Sequence, residues 1–199
     1  MAVDVNNAFV GTPSIDNGVF FRAPVGTDLP TDSTSPLDPA FKDHGAVGEN
    51  GITVAQTRDN QDIKMFGGKT FINTQTSYDE QITITLLEDD NVDVLKTTFG
   101  DSNVEITPAT TTAGTKKVIY HTSDPLPISS FVVEAWSGLK SKRYVIENGQ
   151  VVNVAEIVDV HNNVTSRTIT VKTYAPTSVE LRGGNVVEYR DNGVFDTTP

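Results

Sequence analysis

The sequence predicts an all-β fold with one short flanking α-helix. Apolar and polar residues alternate over positions 80–88 and again over 167–172, which is the spacing of strands that bury one face. Over 131–136, apolar residues occupy both sets of alternate positions, as expected for a strand covered on two faces. A single segment, residues 90–100, has apolar residues at helical spacing. β-Structure is therefore expected to dominate.

The N-terminal region differs in texture from the rest of the chain. Half of the 10 prolines lie within the first 40 residues, among Asp, Ser, Thr and Gly, which predicts an extended arm. Residues 19–21, Val-Phe-Phe, interrupt the arm and predict one strand laid on the body. The expected parts are an N-terminal extended arm at 1–40, a β-domain at 41–175, and C-terminal strands (179–181 and 186–189) with a polar tail at 176–199.

Two glycine-containing pairs predict hairpin turns. Gly67 and Gly68 separate strand-like residues 62–65 and 70–72, and two adjacent glycines readily adopt the positive φ angles of a tight turn. Asn148 and Gly149 stand between strand-like segments in the same way, and Asn-Gly is a strong signal for a hairpin turn. Both pairs are expected to reverse the chain.

The helix is expected to begin at Asp90, whose carboxylate can cap the first turn. Val92, Leu95 and Phe99 recur at spacings of three and four and predict its buried face. Gly100 is expected to end it in a left-handed conformation.

Composition excludes several classes of function. The chain of 199 residues has no cysteine, which excludes Cys-based zinc sites, disulfides and thiol catalysis. Its net charge of −11 is opposite to that of proteins that grip nucleic acid through phosphates. His44, His121 and His161 lack metal-ligand spacing, so no metal, no cofactor and no enzymatic activity are expected. Short apolar runs predict no membrane span, and no signal peptide is visible at the N-terminus.

The central block resembles the major tail proteins of long-tailed siphophages. The resemblance is carried by a Gly-x-Val-x-x-x-Gly-Ile-Thr hairpin within residues 41–53, an Ile-x-x-Phe-Gly-Gly turn at 63–68, a strand ending Leu-Leu-Glu at 88, and an Asn-x-x-Val-Leu-x-x-x-Phe-Gly helix at 91–100. It extends over roughly residues 38–175, and is strongest over 41–100. Phe66 stands where many relatives carry Trp.

The resemblance implies a β-sandwich or barrel of the phage tail-tube type. The implied function is that of the major tail tube subunit, which forms hexameric rings stacked into a hollow tube for DNA delivery. Implied partners are the chain itself, the tape measure, tail terminator and tail tip proteins, and phage DNA that passes without specific binding. Assembly would occur in the host cytoplasm and the product would be the virion tail. The arm at 1–40 and the Thr-rich loop at 107–115 are candidates for bridging rings.

Two further expectations concern surfaces. Asp79, Glu80 and Glu88 lie on or beside a predicted strand and are candidates for acidic residues that face the lumen, where negative charge would keep DNA from binding.

The alternative function is a carbohydrate-binding or adhesin-like β-sandwich of a virion. Such a site needs exposed aromatic platforms, whereas Trp136 falls in the strand that is apolar on both faces and is expected in the core.

Overall fold

A computed structural model describes residues 3–14 and 18–194, so residues 195–199 of the predicted tail lie outside the described part. The strands are β1 (Phe20–Pro24), β2 (Lys42–Asp43), β3 (Val47–Lys64), β4 (Thr70–Leu86), β5 (Val104–Thr107), β6 (Lys116–Ile119), β7 (Ser129–Ser137), β8 (Lys140–Val154), β9 (Arg167–Tyr174) and β10 (Val187–Asp191), and the helix α1 is Val92–Phe99. Eight of these strands form one antiparallel sheet in the order β2-β1-β7-β8-β9-β4-β3, with β10 also paired to β8, and β5 and β6 form a separate hairpin. The all-β prediction is confirmed.

The main core lies on one face of the sheet. Ile82 and Ile84 of β4 stand directly opposite Val171 and Ile169 of β9, and all four are buried, as the alternation predicted. Val94 of α1 is fully buried in the same cluster, so the helix covers this face. Burying an aliphatic side chain of this size contributes roughly 1.5–3 kcal/mol.

A second cluster lies on the opposite face of β1, β7 and the first half of β8. Val132 of β7 is fully buried there, while its neighbours in sequence face the main core, which confirms a strand covered on both sides. The cover comes from residues 25–41, through Leu29 and Leu37. Arg143 of β8 holds this segment by donating hydrogen bonds to the carbonyl oxygens of Asp32 and Ser35, at 2.8 Å each.

The prediction of a separate arm at residues 1–40 is therefore wrong for residues 18–40, while residues 1–2 and 15–17 of the predicted arm lie outside the described part. β1 lies inside the sheet between β2 and β7, because Phe20 and Phe21 each fill one of its two clusters. The chain is also bound to β7 at Thr12, because the Thr12 amide donates a hydrogen bond to the Trp136 carbonyl at 2.7 Å. The proline-rich composition reflects the irregular path of a covering loop. The prediction of a strand at residues 19–21 was correct.

The predicted turn at Asn148 and Gly149 is also wrong, because β8 runs through both residues. Gly149 pairs with Ser129 while Ile146 pairs with Phe131, so β8 has one extra residue there and forms a β-bulge. A Cβ on Gly149 would lie 2.7 Å from Cδ2 of Phe131 and 2.9 Å from Cγ1 of Val171. The glycine is needed for close packing within a continuous strand.

The helix begins one residue later than expected. Its N-cap is Asn91, whose side-chain oxygen accepts a hydrogen bond from the Asp93 amide at 2.9 Å, so the assignment of the cap to Asp90 is wrong. Asp90 instead pairs with Lys117 at 2.7 Å. Gly100 ends the helix with a φ of 98°.

The predicted face of the helix is rotated. Leu95 is buried as expected, but Val92 and Phe99 are half-buried, and the centre of the buried face is formed by Val94 and Thr98. The rotation follows from the tertiary contacts, because Val94 is the residue that joins the main core.

The C-terminal region joins the body. Residues 179–181 form a 3₁₀ turn instead of the predicted strand, and Leu181 is buried. β10 pairs with β8 from Val187 opposite Val145 to Asp191 opposite Ser141, so the second predicted strand adds to the main sheet. The Thr-rich loop connects β5 to β6 at the end of their hairpin.

Candidate functional site

The described residues offer little that resembles an active site. Within residues 3–14 and 18–194, no group of three or more His, Asp or Glu side chains is placed to hold a metal ion, and no helix is long and apolar enough to cross a membrane. His44 is fully buried and its two ring nitrogens lie 3.0 Å from the Lys42 carbonyl oxygen and 2.7 Å from the Thr97 hydroxyl. Burial lowers the pKa of His44 to about 4, so the ring is neutral at pH 7.

The β3–β4 hairpin projects from the body. β9 pairs with β4 only over Gln81–Leu86, so residues 56–79 form a two-stranded ribbon. Almost all of its side chains are exposed, with only Thr74 and Asp79 half-buried. An isolated two-stranded ribbon of this kind is marginally stable in water. Nothing in residues 3–14 and 18–194 covers the faces of the ribbon.

The tip of the ribbon, residues 62–72, carries five exposed apolar side chains beside the charged residues Asp62, Lys64 and Lys69. Gly67 and Gly68 make the predicted turn, with φ angles of 96° and 87°, and the Met65 amide donates to the Lys69 carbonyl at 2.8 Å across it. Phe66 stands fully exposed beside the turn, and Phe71 is 71% exposed. Ile63, Met65 and Ile72 are also exposed, at about half of their surface. Clustered exposed apolar side chains at a protruding position mark a contact surface.

The outer edge of β3 is a second unused surface. Within the described residues β3 pairs with β4 alone, although it is 18 residues long. The backbone N–H and C=O groups along its other edge therefore remain available to another strand. Proteins commonly blunt such long edges because they invite pairing between chains.

The third surface is a flat polar face, here called the threonine face: Thr53 of β3, Thr83 and Thr85 of β4, and Thr168 and Thr170 of β9. These residues occupy the strand positions that alternate with the core residues. The Thr83 and Thr170 hydroxyl oxygens lie 3.2 Å apart, and those of Thr85 and Thr168 lie 2.8 Å apart, so the hydroxyls are hydrogen-bonded in pairs across the strands. The four side chains remain half-buried, accessible to solvent on one side.

Of the predicted acidic residues, Asp79 alone lies on the same side of β4 as the threonine face. Its carboxylate is 2.8 Å from Lys172 Nζ of β9. Hydrogen bonding to Lys172, and then to Gln81, lowers the pKa of Asp79. The charge of Asp79 is thus balanced by a cation on the neighbouring strand.

The other two acidic residues lie elsewhere. Glu80 is buried at 3% exposure on the opposite side of β4, and its carboxylate accepts hydrogen bonds from Gln56 at 2.8 Å and the Tyr78 hydroxyl at 2.7 Å. A buried carboxylate cannot line a lumen, so Glu80 is removed as a candidate. Glu88 lies beyond the end of β4, where it accepts from the Ala46 amide at 2.9 Å.

Sequence reasoning missed the threonine face. The alternation that predicted Ile82 and Ile84 as core also placed Thr83 and Thr85 on the opposite face, so half of the signal was visible. The cross-strand pairing of Thr83 with Thr170 was not visible, because the two residues are 87 positions apart and the strand order is a tertiary property.

The chain was compared with protein-family models, with curated proteins and with solved structures. No family model matches the chain, and no curated protein matches it in sequence. A chain from a solved structure of the virion of a native gene transfer agent (GTA) particle is similar, with a TM-score of 0.41 and 8% sequence identity. The match covers 70% of this chain and 88% of that chain. A likeness at this level carries no argument about function, which has to come from the three surfaces.

Proposed function

We propose that this protein is a structural virion protein, the major tail tube subunit of a long-tailed phage-type particle. Copies assemble as hexameric rings, and the rings stack into a hollow tube through which phage DNA is delivered to the host. The observation that carries the proposal is the projecting ribbon, which exposes apolar side chains at its tip and packs against no other element among the described residues.

The ribbon has the properties of a connector between copies. Within the ribbon β3 contributes residues 56–64 and β4 contributes residues 70–79. At about 3.3 Å per residue, these strands carry the tip roughly 30 Å beyond the sheet. Burial of Phe66 and Phe71 against another copy would stabilise the contact by roughly 1.5–3 kcal/mol for each phenylalanine side chain. Repetition of that contact along a tube makes the assembly stable although each contact is small.

The free edge of β3 supports association within a ring. Pairing of this edge with a neighbouring copy satisfies its backbone groups, and a closed ring leaves none of these edges exposed. The absence of cysteine from the sequence fits an assembly held by repeated interfaces in a reducing host cytoplasm. As a tube subunit the chain has no catalytic role, and its partners are other copies, the tape measure protein, the tail terminator and tail tip proteins.

The test removes the apolar tip without touching the body. A variant with Met65→Ser and Phe66→Ser should fold normally, because neither side chain contacts the core, but should lose the ability to form rings and tubes. Negative-stain microscopy and sedimentation velocity over a rising series of protein concentrations measure assembly, and thermal unfolding measures the fold.

The matched control is Leu139→Ser. Leu139 is 77% exposed in the turn between β7 and β8, away from the ribbon, so this variant should assemble like the unmodified protein. An unmodified chain that stays monomeric at every concentration contradicts the proposal, and immobilised-glycan binding by such a monomer would favour the adhesin-like alternative. Normal tubes from the tip variant would reject the ribbon as the connector.

A further inference from the structure

We infer that the threonine face lines the bore of this tube, so that passing DNA meets a hydroxyl surface with almost no net charge. The inference rests on the proposed tube function and identifies which surface of the subunit the DNA passes. It replaces the acidic lining that the sequence had suggested.

The two sides of the sheet differ in how much of the chain covers them, and this difference indicates how the subunit is oriented in the tube. On one side of β4 and β9, Val94 of α1 is fully buried in the cluster that contains Ile84 and Ile169. Phe99 of α1 also contacts β9, because its ring lies 4.9 Å from the Arg167 guanidinium. The other side carries Thr83, Thr85, Thr168 and Thr170, which remain accessible. In a closed ring of sheets the inner circumference is smaller than the outer one. The side of the sheet that carries α1 therefore has room only on the outside of the ring. The threonine face, which nothing covers over β4 and β9, then points towards the axis of the tube.

The position of the free edge agrees with this orientation. β3, which supplies that edge, is the neighbour of β4 and carries Thr53 opposite Thr83 in the register. The same row continues through Thr170 of β9 to Asn153 of β8. Pairing between copies through β3 therefore places the threonine rows of adjacent copies side by side. Residues 25–41 cover this side only over β1, β7 and the first half of β8, away from that edge.

The chemistry of the face suits a polyanion that has to move. Affinity for DNA comes mainly from cations that replace the counterions of the phosphates. Lys172 lies on this side, but its Nζ is 2.8 Å from the Asp79 carboxylate, so it is not a free cation. The hydroxyls of Thr83 and Thr170 and of Thr85 and Thr168 are already hydrogen-bonded to each other, which reduces their tendency to bind phosphate oxygens. Such a surface neither binds the DNA tightly nor repels it electrostatically as it enters the bore.

Because the chain has no cysteine, single cysteines can report the orientation directly. Thr83→Cys and Thr170→Cys, made separately, place a thiol on the threonine face with little change in side-chain volume. Ser123→Cys is the control, because Ser123 is exposed on the other side of the sheet. It lies in a loop beside α1, and Leu126 of the same loop packs on the main core. Each variant is assembled into tubes and treated with N-ethylmaleimide or with a maleimide coupled to a globular protein too wide to enter the bore.

In tubes, the small reagent should label all three variants, whereas the bulky reagent should label Ser123→Cys and leave Thr83→Cys and Thr170→Cys at background. Before assembly, both reagents should label all three. Labelling of Thr83→Cys or Thr170→Cys in tubes by the bulky reagent would place the face outside and overturn the inference. Protection from both reagents would place it in a subunit interface and also overturn it. Failure to form tubes, seen by microscopy, would instead be a failure of the proposed function.

Discussion

At the scale of single residues, polar groups in the interior are each held by specific partners. Arg143 is 3% exposed and its guanidinium lies 2.7 Å from Glu134, while it also donates to two carbonyl groups of the covering loop. Glu147 is buried as well, and accepts hydrogen bonds from the amides of Thr177 and Ser178 at 3.1 and 3.0 Å. Removal of one partner from a buried charge pair typically costs about 3–5 kcal/mol. These groups therefore fix the positions of the loops that cover the sheet.

His44 makes the stability of the chain depend on pH. Its imidazole is buried with a ring-to-ring distance of 5.0 Å to Phe20, and Arg22 opposes its protonation while Asp93 and Asp43 favour it. Desolvation is the largest cause of the lowered pKa of about 4, against 6.5 when unfolded. Since the unfolded chain binds the proton more tightly, the stabilisation is complete above pH 6.5 and is lost as the pH falls towards 4. The shift corresponds to ~3 kcal/mol.

The expected result is that the free energy of unfolding of the unmodified protein falls by ~3 kcal/mol more than that of His44→Gln between pH 7 and pH 4. Urea unfolding at a series of pH values measures this difference. His161→Gln is the control for the replacement of a histidine by glutamine, because His161 is exposed and lies outside both buried clusters. If the free energies of unfolding of the unmodified protein and of His44→Gln changed equally with pH, His44 would not be the group responsible for the pH dependence.

At the scale of elements, some local sequence signals predicted the structure correctly and others did not. Gly67 and Gly68 form a turn because glycine readily adopts their φ angles of 96° and 87°, and among the described strands only β4 pairs with β3 there. Asn148 and Gly149 carry an equally strong turn signal, but β7 and β9 flank β8 at that point and hold it extended. In α1, the cap moved from Asp90 to Asn91 because the backbone at Asn91 places its side chain within 2.9 Å of the Asp93 amide.

The role of Gly149 in β8 is testable. Gly149→Ala should destabilise the protein by about 1–3 kcal/mol, because the added Cβ overlaps Phe131 and Val171 in the main core. Gly114→Ala is the matched control, since a Cβ there meets nothing within 4 Å. Chemical denaturation of the three proteins measures the difference. Equal stability of Gly149→Ala and the control would contradict the packing role.

At the scale of the whole molecule, the charge of −11 opposes association of identical chains. In the proposed tube, contacts at the ribbon tip and pairing of sheet edges have to overcome this repulsion between copies. The same charge favours solubility of the unassembled chain in spite of its exposed ribbon.

Salt should consequently favour assembly. Raising the salt concentration from about 50 mM to about 300 mM shortens the Debye length from roughly 14 Å to roughly 6 Å and screens the repulsion between copies. The concentration at which tubes first form should fall, as measured by sedimentation, while sucrose at equal osmolarity serves as the control. A threshold that rises with salt would show that attraction between opposite charges, and not burial of the tip, dominates the contact.

Local patterns in the sequence predict the fold class, the strands that bury Ile82, Ile84, Ile169 and Val171, the Gly67–Gly68 turn and the position of α1. These features follow from local periodicity and from the backbone freedom of adjacent glycines, which depend only on neighbouring residues. The tertiary structure was needed to show that residues 18–40 belong to the body, that Asn148 and Gly149 lie within a strand, that Glu80 is buried, and that four threonines pair across β4 and β9. Each of these depends on the order of strands in the sheet, and strand order is set by contacts between residues far apart in the chain.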